Sequence, residues 1–534
     1  MKDRRRSGRD VALLFLVVLA VTLPFIDKPF HIDDDVYLKG ADQILREPFH
    51  PLSGTQRIFG QDMPAYQLTQ HPPLVSYVIA AVIALTGAAR ERSLHLAFLV
   101  FPLLAAAAAY RLAARFCDAP FAAAVLFVTM PAFIVSSHSV MTDVPFLAFA
   151  LLSMTFFVSG VEARSGRDLA FAAVALVAAG FTQYRGLLLV PLFAYFDWAR
   201  TRSVGSAGRV AAPLGITLSA WCLWNWMDIG VVHAVAAGSW IEFGPGRLLK
   251  DGAAYITLLG GCTIFPLAWG LPGSGRRWWA WPGAGAAVAV GLMFSTPLDG
   301  AQTMAAACFA TSGCIALAYG LGPIATNKRV PRGDSNEEVD DARFLSLVFA
   351  VTLGSQFALN LFASGRSLLL ALPFLSILWV RQARRDWRLP LTVFLTGLLG
   401  TTLAVADMQF AQAHRELALR LDRGGDSSTT WFTGEWGFRR YMEQREFLPV
   451  RSDGSGVETG DWLIVPDQAS PAELDPTLVR RLELRDTVDG LASPLHLMSF
   501  EHKAGFYSNF WGPLPYWWGD GPLERVRVFR VRAP

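Results

Sequence analysis

The chain has 534 residues, of which 53% are apolar and 17% charged, against roughly a quarter charged in soluble proteins. This composition excludes a wholly soluble globular protein. The formal net charge of +3 carries little information about partners, because the charges collect between apolar runs and in the last quarter; nucleic acid is not an expected partner. Cys117, Cys222, Cys262, Cys308 and Cys314 form no CxxC pair and none follows residue 314. A zinc or redox site and a C-terminal disulfide framework are therefore not expected, and the cysteines read as small packing residues.

In chain order, Arg4, Arg5, Arg6 and Arg9 precede an apolar run at 11–26. The arrangement is like a signal peptide, but the run ends Thr22-Leu23-Pro24-Phe25 without a small-x-small cleavage site. An uncleaved first helix with its basic end in the cytoplasm is expected. Apolar segments follow at 73–89, 94–114, 119–137, 144–161, 168–182, 186–198, 210–227, 252–271, 278–296, 301–323, 343–363, 367–380 and 389–407. Segments near 20 residues match a hydrocarbon core of about 30 Å.

If every segment crossed, several arginine clusters would lie outside. The segment 73–89 is short and begins at Pro72-Pro73. If it lies along the outer interface instead, the remaining segments, about thirteen, place every strong basic cluster inside. These clusters are Arg111/Arg115, Arg164/Arg167, Arg200/Arg202/Arg209, Arg276/Arg277, Lys328/Arg329/Arg332 and Arg381/Arg384/Arg385/Arg388. The reading is an all-α polytopic membrane domain over 1–407, with an outer loop at 27–93 and a flexible cytoplasmic linker at 324–342. A small extracytoplasmic α/β domain follows over 408–534. Its expected elements are a helix at 410–422, a strand at 429–433, a helix at 438–445 and strands at 462–465 and 525–531.

The outer loop opens with His31-Ile32-Asp33-Asp34-Asp35-Val36-Tyr37. Three adjacent carboxylates repel one another and favour a cation or a raised pKa. They also fit a solvated helix start, with Asp35 capping a helix at 36–46. In Gln70-His71-Pro72-Pro73 the prolines fix a turn that holds His71 at the interface. Asp143, in Met141-Thr142-Asp143-Val144-Pro145, fits an N-cap, but the topology puts it on the same face as Asp33 and Asp34. Arg185 and Arg366 interrupt apolar sequence on that face. They either snorkel or bind an anionic headgroup, for which a guanidinium is well shaped.

These motifs resemble the GT-C fold glycosyltransferases of the family 39-like group, the protein O-mannosyltransferases and aminoarabinose lipid A transferases. Asp33-Asp34-Asp35-Val36-Tyr37 is similar to their Asp-Glu-x-x-Tyr setting, with Asp34 in place of Glu and Asp35 in place of a small residue. His71 stands where aminoarabinose transferases carry a lysine. The resemblance covers about 1–200 well and 343–380 loosely. Phe432-Thr433-Gly434-Glu435-Trp436-Gly437-Phe438 looks like a C-terminal segment of bacterial members.

The resemblance implies an inverting transfer of a sugar from a polyprenyl-phosphate donor to a lipid, glycan or protein acceptor. The reaction would take place at the outer face of the cytoplasmic membrane. Asp33 would be the base, Asp34 and Asp143 would orient the acceptor or tune Asp33, and His71, Arg185 and Arg366 would bind the donor phosphate. Three acidic groups suit a divalent metal, but the resembling families mostly do without one; no metal and no cofactor are expected. A flippase of a lipid-linked glycan would call for internal repeats and broken helices at the midplane, and a non-catalytic scaffold would not explain Asp33 and Asp143 on one face.

Overall fold

The computed structural model describes residues 2–239, 244–264, 280–294, 296–325, 336–382, 387–421 and 428–533. A helical body is followed by a small, strand-rich C-terminal unit. Among the described residues six helices are long and apolar enough to cross a membrane: Gly8–Phe25, Glu91–Phe116, Asp143–Glu162, Gly300–Ala325, Asp341–Leu359 and Arg388–Arg420. Other expected segments are shorter or divided. The helix Leu74–Thr86 has 13 residues, which at 1.5 Å per residue is about 20 Å, short of a hydrocarbon core of about 30 Å. The segment expected at 119–137 splits into Pro120–Thr129 and Pro131–Ser136, with Met130 extended between them. Pro131 lacks the amide that would continue the first helix, and its ring restrains Met130. The clusters Arg276/Arg277 and Lys328/Arg329/Arg332, with Arg384 and Arg385 and much of the 324–342 linker, lie outside the described residues.

Small side chains let the helices approach closely. Ala105, Ala106, Ala108 and Ala109 are all buried. Phe157 stacks on Phe193 with ring centroids 4.1 Å apart.

The helix Arg388–Arg420 runs for 33 residues, straight through the composition change near 407. No Gly or Pro lies between residues 401 and 420 to stop it. It leads into a five-stranded sheet in the order Leu448–Pro449, Thr430–Phe432, Trp462–Pro466, Arg525–Val531, Leu482–Asp489. Thr430–Phe432 pairs parallel with both neighbours, and the remaining pairs are antiparallel.

This unit presses directly on the acidic loop. Gly437, in the helix Trp436–Gln444, lies so close that a Cβ there would sit 2.3 Å from the Phe30 carbonyl oxygen. The Phe30 amide donates to the Tyr441 hydroxyl at 2.8 Å, and that hydroxyl donates to Glu91 Oε1 at 2.9 Å.

Candidate active site

The loop between the first helix and Asp34–Arg46 is pinned from below by a buried acid. Lys28 Nζ pairs with Asp407 Oδ2, and both side chains are essentially inaccessible. Tyr507 donates its hydroxyl to the same oxygen at 2.9 Å, and His31 Nε2 lies 3.4 Å from Asp407 Oδ1. Ile32 is held at φ 47°, a left-handed conformation that is strained for a β-branched residue and persists only where surroundings impose it.

Each of the three adjacent carboxylates has a different environment. Asp33 is the N-cap residue but makes no side-chain cap; its Oδ2 lies 2.6 Å from Arg366 Nη2. Asp35, expected to cap the helix, instead sits in its first turn and pairs with Lys39 at 2.8 Å. Asp34 departs from the expectation that it orients an acceptor. It is fully buried and does not line the cavity. Its Oδ2 accepts the His31 amide at 2.8 Å and its Oδ1 accepts the Val140 amide at 2.9 Å. Burial pushes its carboxyl up to about 7, against the pull of Lys28 and these two amides. Asp34 therefore staples the acidic loop to the segment that carries Asp143.

All the other predicted site residues line one cavity of about 310 Å³: Asp33, His71, Asp143, Arg185 and Arg366. Arg366 bridges the two acids, with Nη1 3.7 Å from Asp143 Oδ2. Arg185 Nη2 stands 4.0 Å from Asp143 Oδ1, and its Nη1 donates to Gln356 Oε1 at 2.5 Å. Burial alone would lower the Arg366 pKa, but the charges of Asp33 and Asp143 outweigh it and push the pKa up, so the guanidinium stays charged. His71 behaves oppositely. Burial, then the charges of Arg185 and Arg366, hold it well below the usual histidine range, so it is a neutral imidazole.

Sequence reasoning passes over several residues that complete this arrangement. Tyr37 and Gln183 both reach the Thr142 hydroxyl, at 3.2 and 2.9 Å, and Gln183 also donates to Asp143 Oδ1 at 3.4 Å. Asp407 offers a signal, since a charge inside an apolar helix is expensive and marks a partner. Among the described residues no group of three His, Cys, Asp or Glu side chains is placed to hold a metal ion.

Residues 70–226 match the family model described as dolichyl-phosphate-mannose-protein mannosyltransferase, a stretch that carries His71, Asp143 and Arg185. Nothing among curated proteins matches the chain. Among solved structures, ArnT from Cupriavidus metallidurans in the apo state is 14% identical, with 98% of this chain and 99% of that chain covered and a TM-score of 0.41. ArnT from the same organism bound to undecaprenyl phosphate is 14% identical, with 90% and 96% covered and a TM-score of 0.38. The S. cerevisiae protein O-mannosyltransferase Pmt1-Pmt2 complex bound to the sugar donor is 17% identical, with 48% and 36% covered and a TM-score of 0.32. By its motif residues, gathered in one cavity, and by the family match over the segment that supplies three of them, the chain resembles the GT-C fold glycosyltransferases of the protein O-mannosyltransferase kind.

Proposed function

We propose that this protein is a glycosyltransferase of the cytoplasmic membrane that moves a sugar from a polyprenyl-phosphate carrier to an acceptor at the outer face. The observation that carries the reading is Arg366, whose guanidinium bridges Asp33 and Asp143 inside the shared cavity. A donor phosphate competes with Asp33 for that guanidinium. Its arrival frees the Asp33 carboxylate to take the proton of an acceptor hydroxyl or amine. The acceptor's new bond to the anomeric carbon forms opposite the breaking carbon–oxygen bond, and the bonding electrons leave with the phosphate. A single displacement inverts that centre. Arg366 and Arg185 stabilise the charge that develops on the departing phosphate, and Asp143 holds both arginines in place.

Arg366→Ala tests this directly. Undecaprenyl phosphate binding to the protein in nanodiscs should weaken by about 10–100-fold, since a charge-assisted contact to phosphate is lost. Wild type that fails to bind this lipid, or a variant that binds it equally well, would overturn the reading.

His71 sets a pH expectation. Its pKa is lowered in the fold, so no cation appears as pH falls through the ordinary histidine value, and it meets phosphate as a neutral hydrogen-bond donor. Any change in undecaprenyl phosphate affinity between pH 8 and 6 should therefore be the same, within about twofold, in wild type and in His71→Gln. A steep rise toward pH 6 in wild type alone would show that His71 binds as an imidazolium.

A further inference from the structure

The two arginines of the cavity are held by different kinds of partner. Arg366 bridges two carboxylates, the nearer at 2.6 Å. Arg185 stands 4.0 Å from a carboxylate and is bonded instead to two carboxamides. Its Nη1 donates to Gln356 Oε1 at 2.5 Å and to Asn360 Oδ1 at 3.4 Å. A neutral oxygen orients a guanidinium without cancelling its charge, so this hold leaves Arg185 its attraction for an anion. The arrangement works only if both carboxamides turn their oxygens, and not their NH2 groups, toward the arginine.

Each carboxamide is fixed from behind. Gln356 Nε2 donates to the Thr352 carbonyl at 3.0 Å, which leaves Oε1 facing Asn360. Asn360 Nδ2 donates to that oxygen at 2.9 Å and to the Tyr255 hydroxyl at 2.7 Å. Tyr255, on the helix Pro245–Gly261, is buried. Its own proton goes to the Phe362 carbonyl at 3.2 Å, a group that can only accept. The phenol oxygen is thereby left as an acceptor toward Asn360, and Asn360 Oδ1 is left to Arg185. Ser367 Oγ lies 3.2 Å from the same phenol oxygen but donates to the Ser364 carbonyl at 2.7 Å. The turn that carries Arg366 therefore keeps its own bond without the phenol. We propose that Tyr255 is a positioning residue: its hydroxyl sets the polarity of Asn360 and so aims the Arg185 guanidinium at the donor phosphate. Tyr255, Gln356 and Asn360 all lie outside the family-matched stretch 70–226. The proposal rests on the transferase reading and assigns a role one step behind its phosphate contact.

The test is undecaprenyl phosphate binding to the full chain in nanodiscs, for wild type, Tyr255→Phe, Arg185→Ala and the double variant. Phenylalanine keeps the ring, which packs on Phe357 with centroids 4.8 Å apart, and removes only the hydroxyl. Tyr255→Phe should weaken binding by at least about threefold, and Arg185→Ala by about 10–100-fold. The double variant should bind like Arg185→Ala, within about twofold, because the hydroxyl acts only through that arginine. A hydroxyl that merely stabilised the fold would lower the thermal midpoint and cost the same affinity with or without Arg185. Should Tyr255→Phe fail to fold, Asn360→Ala cuts the same relay and should show the same dependence on Arg185. If wild type fails to bind undecaprenyl phosphate, the transferase reading itself falls. The positioning role alone is refuted if wild type binds and either single variant, Tyr255→Phe or Arg185→Ala, binds as tightly. It is refuted equally if the Tyr255→Phe loss persists undiminished in the Arg185→Ala background.

Discussion

Asp33→Asn is expected to lower sugar transfer by about 10²–10⁴-fold, the range contributed by a positioned general base, without weakening donor binding. Asparagine keeps the shape of the side chain but cannot take the acceptor's proton. The second half of the expectation comes from geometry. In the resting cavity Asp33 occupies Arg366 at 2.6 Å, so the donor phosphate has to displace it. Removing the carboxylate's charge removes a competitor, and undecaprenyl phosphate should bind as well as to wild type, or better. Initial rates with radiolabelled polyprenyl-phosphate sugars, read beside lipid binding, separate the two effects. Near-wild-type turnover in Asp33→Asn would take the base role away from this residue.

Asp407→Ala should be the most destabilising single change in the loop's support, at about 3–5 kcal/mol. It leaves the Lys28 ammonium buried without its partner, and an uncompensated interior charge costs far more than the pair itself contributes. The Tyr507 hydroxyl and His31 lose the same carboxylate. Thermal unfolding in nanodiscs reads the loss. The double variant Lys28→Met/Asp407→Leu should recover most of it, because well-packed apolar pairs commonly replace buried ion pairs without penalty. An Asp407→Ala protein as stable as wild type would mean that the pair does not anchor the loop.

Asp33, Asp143, Arg185 and Arg366 are legible in the sequence for one reason: each is a charge at the edge of an apolar segment, and the alternation of basic clusters puts them on one face. His71 is legible through the prolines that follow it. The burial of Asp34 away from the cavity is not legible, because three adjacent aspartates look alike until the fold sends them different ways: one to an arginine, one to two backbone amides and one to a lysine. Asp407 can be suspected as a charge within a long helix, but its partner Lys28 is hidden because it looks like the end of an apolar run and the pair spans 379 positions. The strand Leu482–Asp489 escapes notice because its middle four residues are all exposed, Leu484 among them, and Asp486 interrupts the apolar set of Leu482, Leu484 and Val488 that would mark a half-buried strand. The strand Arg525–Val531 alternates more clearly and is found where it is expected.

The seam at Gly437 also has a temporal consequence. The Phe30 amide meets a tyrosine hydroxyl 411 positions later in the chain, and Lys28 waits for an aspartate 379 positions on. During synthesis the acidic loop leaves the ribosome early, with its eventual supports not yet translated. Until the chain through Asp407 emerges, Lys28 lacks the carboxylate it pairs with, and until Tyr441 follows, the Phe30 amide lacks its acceptor. The acidic loop is thus among the first parts made and among the last to take its final shape.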